Sequence, residues 1–189
     1  MSKTFIAFCT LAGSFLIATD AYSDPSASAP LGIRGTSQPV CQLPDPTVTS
    51  RNNTTISNKS ITVDNLINLQ DATVLAWDAT MTFPRVMCNW SAFVSLQSQN
   101  GGMKPVGAVA SVLNGEFGTQ VDYTATAKWG TVPQLTLSTA SAGQAAVSQL
   151  ASGANQADLV VTISTPSSSV PLLAGEFQDN LIVKVGLSL

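Results

Sequence analysis

Residues Phe177–Leu189 read FQDNLIVKVGLSL. Phe177, Leu181, Val183, Val185, Leu187 and Leu189 fall on one pleat face, because successive side chains of a strand point to opposite sides. Such a face needs a core beneath it. The preceding Pro171-Leu172-Leu173-Ala174-Gly175-Glu176 predicts a turn. No further strand follows in the sequence to flank it, and such a terminal strand is expected to need a neighbour.

Working back from that strand, Leu159, Val161 and Ile163 alternate as a second strand, followed by a turn over Pro166–Ser169. Ser138 to Asn155, rich in Ala, Ser, Gly and Gln, reads as a long loop or one helical turn. Leu135 and Leu137 begin a short strand. The clearest period of two runs through Val121, Tyr123, Ala125, Ala127 and Trp129, with Asp122, Thr124, Thr126 and Lys128 on the opposite face: a half-buried antiparallel strand. Ala92, Val94 and Leu96 alternate before Gln99-Asn100-Gly101-Gly102, a hairpin signal with a return strand expected over Val106–Leu113. Ala79–Asn89 carries Met81, Phe83 and Cys88. Ile61 and Val63, with Leu66, Ile67 and Leu69, are ambiguous between a strand and a connecting turn, and Arg51–Asn58 reads as an Asn-rich loop. VCQLPDPTVTS is a short edge strand broken by Pro44 and Pro46.

Seven to nine short strands with turns at these intervals predict an all-β chain, a β-sandwich with no helix beyond a turn or two. With 44% hydrophobic and 10% charged residues, the chain is too apolar for disorder. Its start has the form of a secretory signal: Lys3, then the 14-residue apolar run Phe5–Ala18, then Ala21-Tyr22-Ser23 with cleavage expected after Ser23. That run is short of the roughly 20 residues a membrane helix needs, and no stable membrane insertion is expected. Cys9 lies within the run, not at its end, which argues against a lipid anchor. Residues 1–23 are thus assigned to the signal, 24–39 to an N-terminal arm and 40–189 to one domain.

The arm, DPSASAPLGIRGTSQP, has the small, Pro- and Gly-containing composition of a linker. Ala27, Ala29, Leu31 and Ile33 nevertheless alternate with Ser28, Pro30, Gly32 and Arg34, a pattern an extended segment with one modest apolar face would have. Pro30 and the small alanines favour the linker.

Removing the signal leaves Cys41 and Cys88, and in an oxidising exported compartment an isolated pair is most simply a disulfide. Closing that loop is worth about 4 kcal/mol by chain entropy. The mature chain keeps seven basic and ten acidic side chains, so the net charge stays at −3, and its Lys and Arg are scattered singly. No nucleic-acid partner is expected. The chain contains no His, which removes the usual general base, the Ser–His and Cys–His arrangements and most zinc sites. Glu116, Asp122, Glu176 and Asp179 are the remaining acid/base candidates, and each is more economically a solvated residue. No catalytic residue, metal site or cofactor is therefore expected. Trp77, Trp90 and Trp129 could line a sugar platform; for Trp129 burial is the preferred reading, and for Trp77 and Trp90 both readings stand.

Three features together resemble the pilin-type subunits of the chaperone–usher pathway and the related spore-coat-U-like domains. They are Cys41 in a first strand, Cys88-Asn89 followed by a strand leading to SQNGG, and the closing LLAGEFQDNLIVKVGLSL with Ala174, Gly175, Phe177 and Asp179 ahead of alternating aliphatics. The resemblance spans roughly residues 40–189. It implies an immunoglobulin-like sandwich lacking its final strand, with a groove beside the terminal strand lined by Leu181, Val183, Val185 and Leu187. It further implies export to the periplasm and then the cell surface. A periplasmic chaperone, an outer-membrane usher and the arm of the next subunit would be the partners, with Ala27, Ala29, Leu31 and Ile33 as donor residues. The competing expectations are a self-complete secreted sandwich that binds carbohydrate or protein, and a secreted hydrolase.

Overall fold

The computed structural model describes residues 30–107, 116–141 and 145–187. The chain divides into two units, Met1–Thr36 and Ser37–Leu189. In the first, Pro30–Thr36 has no regular structure, and Leu31 and Ile33 are 87% and 88% exposed. Ala27, Ala29 and the signal segment lie outside the described residues.

The second unit is all-β, with no helix among the described residues. Its strands are β1 (Cys41–Gln42), β2 (Thr47–Asn52), β3 (Thr54–Ser57), β4 (Ser60–Val63), β5 (Trp77–Cys88), β6 (Ala92–Ser98), β7 (Lys104–Pro105), β8 (Thr124–Trp129), β9 (Leu135–Ser138), β10 (Ala146–Ala151), β11 (Asn155–Thr165), β12 (Phe177–Gln178) and β13 (Leu181–Gly186). The larger sheet runs β1–β5–β11–β8–β9, with β2 also on β5. A second sheet runs β10–β6–β13, and β12–β7 and β3–β4 form two-stranded pieces. Every strand pair is antiparallel.

The two main sheets share one core. Ala125, Ala127 and Trp129 of β8, Leu135 and Leu137 of β9, and Leu159, Val161 and Ile163 of β11 meet Ala92, Val94 and Leu96 of β6. Trp129 is buried as expected from its alternation, and its indole N–H donates to the Val86 carbonyl at 3.2 Å, which removes the penalty of burying that donor.

The central strand β5 changes the parity of its core-facing residues partway along. Trp77, Ala79, Met81 and Phe83 point to the core, and then Val86 and Cys88 do. The switch comes from a bulge: Phe83 pairs with Leu159 and Val86 with Ala157, so β5 spends one residue more than β11 over that stretch. Pro84 is tolerated inside the sheet because it sits at this irregularity. Arg85 takes a left-handed φ of 51°, and its amide donates to the Asp158 carboxylate at 2.8 Å, replacing the ladder bond the bulge breaks.

Three local expectations are corrected. Arg51–Asn58 is not a loop: it holds the end of β2 and all of β3, which turns through Asn58 (φ 56°) into β4. This also places Ile61 and Val63 in a strand. The stretch 138–155 contains β10, a strand of weak intrinsic propensity that forms because all six of its residues pair with β6. Finally, β6 and β7 flank the Gln99–Gly102 turn but do not pair with each other; β6 pairs with β13 and β7 with β12. Lys104–Pro105 is the described part of the return strand; Val106 and Gly107 are not in a strand, and the rest of Val106–Leu113 lies outside the described residues.

Candidate functional site

Among the described residues β13 has a single strand neighbour, β6, in the register Leu181↔Ser98, Val183↔Leu96 and Val185↔Val94. Leu181, Val183 and Val185 thus share a face with the buried residues of β6 and pack, partly buried, against the core. Beyond β13 a groove of about 530 Å³ opens. Its floor is core: Trp77, Met81 and Phe83 of β5 with Val161 and Ile163 of β11. One wall is Phe177 through Leu181, with Val183. The other is Leu43, Pro44 and Pro46 of the β1–β2 crossover together with Lys59, Ser60, Ile61 and Val63 of the β3–β4 hairpin.

The four residues expected along the groove are therefore placed differently from one another. Leu181 and Val183 line it, whereas Val185 packs on the core without lining it. Leu187 lies past the end of β13 and is 47% exposed. β13 ends at Gly186, ahead of Leu187, and Leu189 lies outside the described residues.

Opposite, Pro44 and Pro46 interrupt the edge strand, and β1 and β2 both pair with β5 on either side of the gap. Cys41 and Cys88 stand directly opposite each other in β1 and β5, joined by a disulfide with a Cα–Cα distance of 4.2 Å. That spacing is close to the narrow, non-hydrogen-bonded type of antiparallel pair. Asn89 fixes the segment just before β1 by donating to the Gln38 carbonyl at 2.9 Å and accepting from the Val40 amide at 2.7 Å.

Asp179, read from sequence as solvated, is instead the hub at one end of the groove. It sits at the break between β12 and β13, facing the Gln99–Gly102 turn that separates their partners. Its Oδ2 accepts from Ser98 Oγ at 2.5 Å and Tyr123 OH at 2.6 Å, and its Oδ1 from the amides of Asn100 at 2.9 Å and Asn180 at 2.8 Å. Ser98 Oγ in turn accepts from the amides of Gly101 and Gly102, both at positive φ. Burial by itself would push the Asp179 carboxyl up, but the bonds from Ser98, Tyr123, Asn100 and Asn180 outweigh it and hold the group below the usual carboxylate range. The Tyr123 hydroxyl is pushed up, first by burial and then by its bond to Asp179. The place of Asp179 between β12 and β13 could not be read from spacing, because it depends on the two strands breaking there and on Ser98 and Tyr123 arriving from elsewhere.

This arrangement suits an anchor and not a proton donor. Asp179→Asn should destabilise the domain by roughly 1.5–3 kcal/mol at pH 7, the range for hydrogen bonds to a charged group. The sign of the acid dependence follows from its lowered pKa. The carboxylate's contribution is complete above the unfolded value near 3.9 and is lost as pH falls through the lower folded value. Urea melts at pH 7 and pH 3 should show the gap between wild type and Asp179→Asn shrinking at the lower pH; an equal gap at both would mean the charge is not what matters.

Glu116 and Glu176 are exposed, and Asp122 Oδ1 accepts from Thr139 Oγ1 at 3.1 Å. The three indoles do not form a platform: Trp129 is buried, Trp77 is in the groove floor and Trp90 is 63% exposed in the turn between β5 and β6. In comparisons with known proteins the chain matches no family model, no curated protein and no solved structure.

Proposed function

We propose that the chain is a structural subunit of a surface fimbria or spore-coat-U-like fibre, an immunoglobulin-like sandwich without its last strand that is completed by a strand from another chain. One observation carries the reading. The order β1/β2–β5–β11–β8, with β9 beyond it, is compatible with the A-B-E-D order of an immunoglobulin sheet, and β6–β13, with β10 on the other side of β6, with C-F of the second; no strand lies beyond β13 among the described residues, where G would stand. That place is the groove, and its floor is the core itself. An edge of this kind, with unpaired backbone groups beside apolar side chains, is what β-strand addition fills.

On this reading the subunit is exported, held first by a periplasmic chaperone and then passed at an outer-membrane usher to the arm of the next subunit. The exposed Leu31 and Ile33 contribute most of the arm's apolar area. Leu31→Asp/Ile33→Asp should stop polymerisation while leaving the melting temperature of the free domain unchanged. Fibres of normal length from that variant would make the arm a plain linker.

The self-complete binding module is the second reading, favoured by a groove volume within the 300–1,000 Å³ common for small-molecule sites. Expressing the tagged mature chain in a periplasm with and without its cognate chaperone separates the two. The incomplete sandwich is recovered only with the chaperone, and the binding module is recovered as a monomer either way.

A further inference from the structure

The β3–β4 hairpin belongs to neither main sheet; its strands pair only with each other. Its base is well tied. Asn53, at a left-handed φ of 53°, donates to the Asn65 carbonyl at 2.7 Å and accepts from the Asn65 amide at 2.9 Å, while Thr54 Oγ1 donates to the Asp78 carbonyl of β5 at 3.0 Å. Its far end is held differently. Lys59, in the turn, reaches Asp45 in the β1–β2 crossover at 2.6 Å, the one ion pair among the described residues, with side chains 70% and 85% exposed. Between base and tip, Ile61 and Val63 face the groove only partly buried.

From this we infer that the β3–β4 hairpin is a flap over the groove, hinged at Asn53–Asn65 and latched at its tip by Lys59–Asp45, and that its opening controls access to the groove floor. This deepens the strand-accepting reading and rests on it only for the identity of what enters. The latch is weak by design of its surroundings: an exposed ion pair favours the closed state by a factor of about 1.5 to 5 and is screened by salt. Trp77 is 5% exposed although it lines the groove.

Trp77 reports on the flap. In a Trp90→Phe background the remaining indoles are Trp77 and Trp129, and Trp129 is fully buried away from the groove. Acrylamide quenching of that protein should increase about twofold to fivefold on adding Asp45→Lys, which sets like charges face to face. It should return to the starting value in the swapped Asp45→Lys/Lys59→Asp pair, and 1 M NaCl should raise it with the native pair in place. Quenching that is the same in all of these overturns the flap. A synthetic peptide with alternating large aliphatics gives the second arm. If its association rate follows Trp77 quenching, the flap gates strand entry. If quenching responds but no variant binds the peptide, the flap stands and the strand-accepting reading falls.

Discussion

Fusing a donor strand of alternating large aliphatics after Leu189, through a turn that lets it run back along β13, should raise the melting temperature of the mature chain by on the order of 5–15 °C. The estimate starts from Ile61, Val63, Leu181 and Val183, which are partly buried and line the groove. Full burial of such a side chain is worth about 1.5–3 kcal/mol, so covering the third at most that remains for four of them yields up to roughly 2–4 kcal/mol. In a domain of this size each kcal/mol moves the midpoint by about 2–4 °C. The backbone of β13 gains ladder partners as well, and tethering removes most of the association cost. The control is the same fusion with its aliphatics replaced by Asp, which should leave the midpoint where it was. A mature chain that is already monomeric, melts cooperatively and ignores both fusions would refute the incomplete-sandwich reading.

Much of the sheet architecture could be read from alternation alone. Val121 to Trp129 and Leu159 to Ile163 follow a period of two, and all their apolar members are buried as that period requires. The broken edge strand was equally legible, since Pro44 and Pro46 cannot both sit in a continuous ladder. What alternation misses is any change of phase. The core-facing parity of β5 shifts at Pro84–Arg85, so that Met81 and Phe83 read as one strand while Val86 and Cys88 belong to the other parity. A single inserted residue does this, and the group that satisfies the freed Arg85 amide, the Asp158 carboxylate, lies 73 positions away in sequence. The strand β10 is hidden for a related reason: Ala, Ser and Gln have little strand preference, and only the waiting edge of β6 makes them extended.

The groove was legible as a need and not as a shape. The odd-numbered aliphatics of the last strand demanded a neighbour, and Leu181 and Val183 do border the groove. The opposite wall could not be inferred, because it is assembled from the Leu43–Pro46 crossover and the β3–β4 hairpin, segments whose apolar content is too sparse to announce a role. Asp179 shows the limit most clearly. An isolated carboxylate in a polar stretch looks solvated, and only the convergence of Ser98, Tyr123 and two turn amides makes it an anchor.

The disulfide should matter for the groove as much as for overall stability. Cys41–Cys88 closes a loop with a sequence separation of 47, which contains β2, the β3–β4 hairpin and most of β5. Chain entropy assigns it about 4 kcal/mol, against a net stability of roughly 5–15 kcal/mol for a domain. β1 is only two residues long, and its short ladder to β5 is supplemented by the Asn89 bonds to Gln38 and Val40. Cutting the bridge therefore also loosens Leu43, Pro44 and Pro46, one wall of the groove. Cys88→Ser should lower the melting temperature by on the order of 10 °C or more, because it adds a buried hydroxyl to the lost bridge. Cys41→Ala/Cys88→Ala, which leaves no such hydroxyl, should fall between Cys88→Ser and the wild type. In both variants a donor peptide should bind more weakly, since the Leu43–Pro46 wall of the groove must be ordered first. Mass spectrometry of the unreduced wild type should find no free thiol at Cys41 or Cys88. Two free thiols there, or a Cys88→Ser protein that melts with the wild type, would remove the bridge from any account of this fold.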